Sequence, residues 1–324
     1  MNILVCGGAG YIGSHMCKML CENGHVVTVF DNLSTGHREA CKWGALVEGD
    51  LLDKPSLHSL FKGSAFDAVM HFSAKSLVGE SMSDPALYYR NNVVGTLNLL
   101  EAMRTHEVNR FVFSSSASTF GNPIKALIDE THPQSPINPY GETKLIIERF
   151  LVYSAQAYGL DSVSLRYFNA AGADPAGEIG ESHNPETHLI PNVLKALCED
   201  GRRLKIFGDD YDTKDGTCIR DYIHINDLCS AHLSAVVYMV HEHGAKGFNL
   251  GNGQGFSIME VVKAAEDVTG RKIPFDREPR RLGDPPSLVA DSGRARKELG
   301  WQPRHVDIAA IIHSAWQWHR EQKF

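Results

Sequence analysis

The stretch from Asn2 to Asp31 limits the possible folds more than any other part of the chain. Ile3-Leu4-Val5 is an apolar run too short for a helix and suited to a buried parallel strand. It runs into Gly7-Gly8-Ala9-Gly10-Tyr11-Ile12-Gly13, after which Ser14 to Asn23 carries a helical pattern that stops at Gly24. His25 to Phe30 reads as a second strand and ends on Asp31, 18 residues beyond Gly13. Glycines at Gly7, Gly10 and Gly13 permit the tight turn and let backbone amides approach a pyrophosphate at the helix N-terminus. Asp31 is placed to accept hydrogen bonds from a ribose diol, and its charge repels a 2′-phosphate, which favours NAD over NADP. A bare glycine pattern is weak evidence. The strand, turn, helix, strand and carboxylate together make it a dinucleotide site.

The same alternation continues downstream. Ala45 to Asp50 is a strand whose terminal Asp50 would lie near an adenine, and Ala68 to Phe72 is another, with Ser73-Ala74 able to pass close to the cofactor. Tyr88 to Thr105 has the pattern of one long helix; its Asn91-Asn92 need partners whether they serve a ligand or the core. Phe111-Val112-Phe113 is a strand that runs into the serine cluster Ser114 to Ser118. The class expected is α/β: an NAD-binding Rossmann domain (a doubly wound parallel sheet) over residues 1–173, rejoined near 218–250. A smaller C-terminal α/β substrate domain is expected over 174–324, and a chain of 324 residues has room for two such units.

Pro139-Tyr140-Gly141-Glu142-Thr143-Lys144 opens a segment whose Leu145, Ile146, Ile147, Phe150 and Leu151 read as a helix stripe. A Tyr and a Lys four apart share a helix face. A phenol needs roughly 3 pKa units, about 4 kcal/mol, to serve as a base at neutral pH. A cation ~4 Å away supplies about that much near a surface, before desolvation takes some back. Lys144 alone is therefore marginal, whereas Lys144 with an oxidised nicotinamide suffices. Ser116 precedes Tyr140 by 24 residues, and the two segments would leave adjacent strands, so the hydroxyl and phenol are candidates to share one substrate proton.

The net charge of −7 gives no reason to expect nucleic acid or an anionic membrane as partner. No apolar run approaches the ~20 residues of a membrane span, and no leader pattern opens the chain. Seven scattered cysteines without a C-x-x-C spacing point to reduced thiols and a cytoplasmic protein. His241-x-His243 is the closest histidine pair and reads as an exposed helix end, so no metal is expected. Asp174 to Asn184 is loop by composition, His188 to Pro191 begins a helix, and Arg203 to Gly208 is a strand into a turn. Arg220 suits bidentate phosphate binding or a structural ion pair, and Arg281 strengthens the anion reading. A closing helix from Ile308 to Gln322 would be capped by Asp307.

The glycine turn, the Ser116 cluster and Tyr140-x-x-x-Lys144 resemble the extended short-chain dehydrogenase/reductase superfamily. Within it, Gly7 to Ser14, Asp31 to Ser34, Val78-Gly79-Glu80-Ser81 and Asn91-Asn92-Val93 look like the UDP-glucose 4-epimerase family, nearly end to end. That resemblance implies NAD contacts from Gly7, Gly10, Tyr11, Ile12, Gly13 and Asp31, and from Asn32, Leu33, Ser34, Thr35 and Gly36. It adds Asp50, Leu51, Phe72, Ser73, Ala74 and Ser76, then Asn91, Ser114, Tyr140, Lys144 and Phe168. For a UDP-hexose substrate it implies Ser116, Tyr140, Asn169, His188 and Leu189, with Lys205 and Phe207. Arg220 and Arg281 would hold the diphosphate, Asp284 the uridine ribose, and Leu288 would bound the hexose pocket. The implied reaction inverts C4: Tyr140, aided by Ser116, takes the 4-hydroxyl proton while hydride leaves for NAD, and the 4-keto sugar turns over before the hydride returns. Related dehydratases carry Asp-Glu after the catalytic hydroxyl, where this chain has Ala117-Ser118. A Tyr at the Leu288 position confines the family's pocket to unsubstituted hexoses and a small residue admits N-acetyl groups. Leu is intermediate, so tolerance of N-acetylated hexoses stays open. The implied assembly is a homodimer.

Overall fold

The computed structural model describes residues 1–281 and 284–324. Strands β1 (Asn2–Cys6), β2 (Val26–Asp31), β3 (Ala45–Glu48), β4 (Ala68–His71), β5 (Arg110–Ser116) and β6 (Asp161–Tyr167) alternate with helices along the first half. Then come β7 (Asn169–Ala171), β8 (Leu204–Phe207), β9 (Ile219–His224), β10 (Ala245–Leu250), β11 (Gly255–Ser257), β12 (Phe275–Glu278) and β13 (Ser287–Leu288). Seven of these form one parallel sheet in the order β10-β6-β5-β4-β1-β2-β3. The order reverses between β1 and β4, the switch point at which an open sheet of this kind binds ligands.

The sheet is covered on both faces, which is why its strands are apolar without a polar side. Successive side chains point opposite ways, so Ile3 and Val5 join one core while Leu4 and Cys6 join the other. The first core is closed by Met16 and Leu20 of the Tyr11–Glu22 helix and by Leu228 and Ala235 of the Ile225–Tyr238 helix. The second is closed by Leu57, Leu99, Met103, Ile147 and Leu151 from the helices Lys54–Lys62, Gly95–Thr105 and Pro139–Tyr158.

Beyond the carboxyl edge, β9 pairs with β7, β11 and β13, and β8 pairs with β12. A third core forms where Ile190 and Val193 of the Leu189–Cys198 helix meet Val261 of the Ile258–Thr269 helix and Ile311 of the Ile308–Arg320 helix. Asp307 caps the last of these, its carboxylate accepting the Ala309 amide at 3.0 Å.

One element departs from the sequence expectation. Tyr88 to Thr105 is broken: a short helix ends at Tyr88, a π-helical turn spans Tyr89–Val94, and an α-helix resumes at Gly95. The turn carries Asn92, whose buried side chain accepts the Lys75 amide at 2.8 Å and donates to the Lys75 carbonyl at 3.0 Å and to Thr143 Oγ1 at 3.2 Å. Turning that amide toward a neighbouring loop is a local use of the wider π register.

Candidate active site

At the switch point a cleft of about 90 Å³ lies between the turn after β1 and the loop after β4. Gly7 sits at φ 83°, and a side chain there would bring a Cβ within 2.6 Å of the Ser73 amide nitrogen, so glycine is required. No side chain caps the Tyr11–Glu22 helix at Gly10, and its first turn holds no acidic residue. Its leading amides are therefore left for an anion. Asp31 is buried at the end of β2, and its carboxylate is oriented by the amides of Ala9 (3.0 Å) and Leu33 (2.8 Å). Asn32 donates to Asp50 at 2.9 Å across the mouth. A glycine cradle, a free helix N-terminus and a carboxylate at the next strand end fit a dinucleotide.

Ser116 closes β5, and Tyr140 and Lys144 stand one turn apart on the Pro139–Tyr158 helix. That helix starts where it does because Asn138 caps it, accepting the Gly141 amide at 2.8 Å, with Pro139 in the first position. All three side chains are buried, Tyr140 at 9% exposure, Ser116 at 8% and Lys144 at 3%. Burial pushes the Tyr140 phenol above its ordinary value, and a hydrogen bond with Ser116 works in the opposite direction. Burial likewise lowers Lys144 to about 7, against the opposing pull of Glu148. Lys144 Nζ donates to the Ser114 carbonyl at 2.7 Å and lies 5.8 Å from the centre of the Tyr140 ring. The same burial that raises the phenol therefore weakens Lys144 as a cation beside it.

A larger cavity, about 530 Å³, opens between β8, β9 and the Leu189–Cys198 helix. Asn169, His188, Leu189, Lys205 and Phe207 line it, together with Arg220, Arg281 and Asp284. Arg220 pairs with Asp284 and donates to its own neighbour's carbonyl, Ile219, at 2.7 Å. Asp221, adjacent in sequence, is not its partner: buried, with its pKa pushed up to about 6 by desolvation, it accepts the amides of Asn252, Gly253 and Ala290. Arg281 stacks over Phe207 at 3.9 Å and pairs with no carboxylate among the described residues. Cations and an aromatic face on one wall suit an anionic, partly planar ligand.

The family described as "NAD dependent epimerase/dehydratase family" matches residues 3–251. The chain belongs to that family. It is 50% identical to a UDP-glucose 4-epimerase of Halalkalibacterium halodurans, over 99% of this chain and 96% of the relative. Among solved structures it matches UDP-glucose 4-epimerase from Brucella ovis in complex with NAD at TM-score 0.95 and 50% identity, covering 97% of each chain. It also matches the Bifidobacterium longum UDP-glucose 4-epimerase in complex with NAD⁺ and UDP, at TM-score 0.94 and 36% identity, covering 99% of each chain.

In this epimerase/dehydratase chain the expected cofactor residues mostly share the small cleft. Gly7, Gly10, Asp31, Asn32, Ser34 and Thr35 line it, as do Gly36, Asp50, Leu51, Phe72, Ser73, Ala74 and Asn91. Lys75 lines it too, whereas Ser76, one residue on, does not. Gly13 packs on the Gly7 carbonyl, Ile12 on the first core, and Tyr11 donates to the Gly172 carbonyl at 2.6 Å. Phe168 and Leu288 pack together against Ala117, Phe120 and Ile128, just past Ser116.

Sequence reasoning missed the support beneath the site. Ser115 donates to Glu148 at 2.5 Å, and Arg166 grips that carboxylate through two nitrogens, at 2.6–3.0 Å. Tyr167 shares a 2.5 Å hydrogen bond with Ser114. Glu148 lies eight residues past Tyr140 and so returns to the same helix face, a signal available in the sequence. His243 pairs with Asp161 at 2.9 Å, while Glu181, His183, Glu186 and His188 gather in the loop before the Leu189–Cys198 helix.

Proposed function

We propose that this chain interconverts UDP-glucose and UDP-galactose by inverting C4 of the hexose, with NAD as its tightly held cofactor. The observation that carries the reading is the buried Ser116–Tyr140 pair: Ser116 ends β5, which lies between β4, whose following loop borders the dinucleotide cleft, and β6, which leads to Asn169 in the cation-lined cavity. NAD, when bound, supplies the reversible hydride exchange that takes C4 through a 4-keto sugar. The glycine-turn amides hold its pyrophosphate, Asp31 and Asn32 a ribose, and Asp50 the adenine side. Tyr140 takes the proton from O4 and returns it, with Ser116 sharing the hydrogen bond. Lys144, fixed by the Ser114 carbonyl, sets one charge beside the phenol. Arg220 and Arg281 hold the diphosphate and Asp284 the uridine ribose, which leaves the hexose free to present either face. Ala117 and Ser118 lack the carboxylates that the dehydratase branch of the family needs.

Leu288 favours a second reading beside the first, that N-acetylated hexoses are also accepted. It stands with Phe168 in the wall past Ser116 and is smaller than a Tyr. We further infer a cytoplasmic homodimer. Tyr89, Val94 and Leu97 on one stretch, and Val152 and Tyr153 on the adjoining helix, expose apolar surface that a second copy would cover, and all seven cysteines are free thiols. Among the described residues no helix is long and apolar enough to cross a membrane.

The test is to offer the purified, cofactor-loaded protein UDP-galactose and UDP-N-acetylgalactosamine separately and measure the 4-epimers formed. The expected outcome is UDP-glucose from the first, with a lower kcat/KM for the second. No epimer from either, with NAD bound, would leave a protein that keeps the fold and senses the cofactor without turnover.

A further inference from the structure

The loop between β7 and the Leu189–Cys198 helix carries a side-chain cluster that the epimerisation reading does not require. Glu181, His183, Glu186 and His188 each bring one nitrogen or oxygen into a group whose members all lie within 4.8 Å of one another. His188 Nδ1 is 2.7 Å from Glu181 Oε1 and 3.4 Å from Glu186 Oε1. His183 Nδ1 is 3.4 Å from the same Glu181 oxygen and 3.6 Å from Glu186 Oε2. Glu186 Oε1 also accepts the amides of Thr187 and His188, at 2.8 and 2.9 Å, which pins that carboxylate in place.

Distance and direction disagree in this group, and the disagreement is informative. Glu181 is only 4% exposed, yet its Oε1 makes no aligned hydrogen bond, and neither do the buried His183 Nδ1 and Glu186 Oε2. Three buried polar atoms without a hydrogen-bond partner in one spot is costly unless something else satisfies them. An ion placed among these atoms would satisfy all three at once. A tetrahedral shell of nitrogen and oxygen ligands with bonds of about 2.0–2.1 Å spaces those ligands roughly 3.3 Å apart. With Glu181 Oε1 and Glu186 Oε2 as the carboxylate ligands, the two separations from His183 Nδ1, 3.4 and 3.6 Å, fall close to that spacing, while His188 Nδ1 lies nearer, at 2.7 Å from Glu181 Oε1.

We propose that Glu181, His183, Glu186 and His188 bind one divalent transition-metal ion, zinc by the character of the donors. Two imidazoles and two carboxylates are a borderline nitrogen and oxygen set, and the ion's charge matches the two carboxylates. The competing arrangement is a knot of two imidazoliums and two carboxylates. Burial pulls both histidines down, but Glu181 and Glu186 outweigh it, raising His183 to about 9 and His188 to about 10 when no ion is bound. That knot balances charge as well, but it sets two cationic rings 5.2 Å apart and leaves the misaligned contacts unexplained.

Position gives the ion a structural task. Glu181, Glu186 and His188 line the large cavity, while His183 faces a small one shared with Gly10 and Tyr11, its ring edge-on to Tyr11 at 6.2 Å. An ion here ties the wall of the cation-lined cavity to the first turn of the glycine-turn helix.

The experiment strips the full-length protein with a chelator and titrates it with zinc by calorimetry, then with cobalt(II), whose visible spectrum reports a tetrahedral site. The wild-type chain is expected to take up one equivalent with tetrahedral cobalt bands. His183→Ala and the near-isosteric Glu186→Gln, each checked for folding by circular dichroism, are expected to weaken binding by more than the roughly 10–100-fold that loss of an outer-shell partner costs. Neither substitution touches Ser116, Tyr140 or Lys144. A wild-type protein that takes up no ion would overturn the assignment, and so would uptake that both variants leave undiminished.

Discussion

Tyr140 is held in an environment that opposes its own ionisation. Burial raises the phenol and lowers Lys144 to about 7, so in the chain by itself the phenol stays neutral and the amine keeps only part of its charge at neutral pH. Ser116 offsets part of this for the phenol. The remaining stabilisation of a phenolate has to come with the cofactor, whose oxidised nicotinamide is a cation and whose reduced form is not. The sign follows directly: the Tyr140 titration should lie above the ordinary tyrosine value of about 10 in the ligand-free protein. It should fall with NAD⁺ bound and rise again with NADH. Phenolate absorbance of the wild type against Tyr140→Phe reads this midpoint, and a midpoint indifferent to cofactor redox state would refute it. A cation near an exposed phenol would have needed less help, which is what spacing alone leads one to expect.

The glycine turn and the helix after it act as one element. Gly13 packs so closely that an added Cβ would stand 2.0 Å from the Gly7 carbonyl oxygen, within the turn that leads to the anion site. Gly13→Ala is therefore expected to cost about 1–3 kcal/mol of overpacking, seen as a lower urea midpoint, and to reduce the NAD retained on purification. Unchanged stability and cofactor content would show that the turn has slack. This element was legible in the sequence because all its determinants lie within Asn2 to Asp31. The break at Tyr89–Val94 was not, since its cause is the hold of Asn92 on Lys75 and Thr143, 17 and 51 residues away. Long-range partners of this kind leave no periodicity. The Glu181–His188 cluster was invisible for a similar reason: composition marked 174–184 as a connection and His188 as a helix start, and only the fold brings the four side chains within 4.8 Å of one another.

At the scale of the whole molecule, one large sheet and two small ones divide the work. The large parallel sheet sets the cofactor cleft and, one strand over, Ser116 at the end of β5. The smaller strands bring residues from Asn169 to Asp284 around one cavity. The strand alternation made the first part readable. The second part drew on segments far apart in sequence, where Arg220 could be read as either an anion ligand or an ion-pair partner. The structure places Arg220 beside Asp284, and a bound diphosphate would compete for that pair. The proposed proton transfer rests on Tyr140, so the most direct measurement is the conversion of UDP-galactose to UDP-glucose by cofactor-loaded Tyr140→Phe, with its affinity for UDP measured alongside. The expected result is a kcat lower by about 10²–10⁴-fold with UDP binding retained. Near-normal epimerisation by that variant would contradict the assignment of Tyr140 as the group that takes the proton.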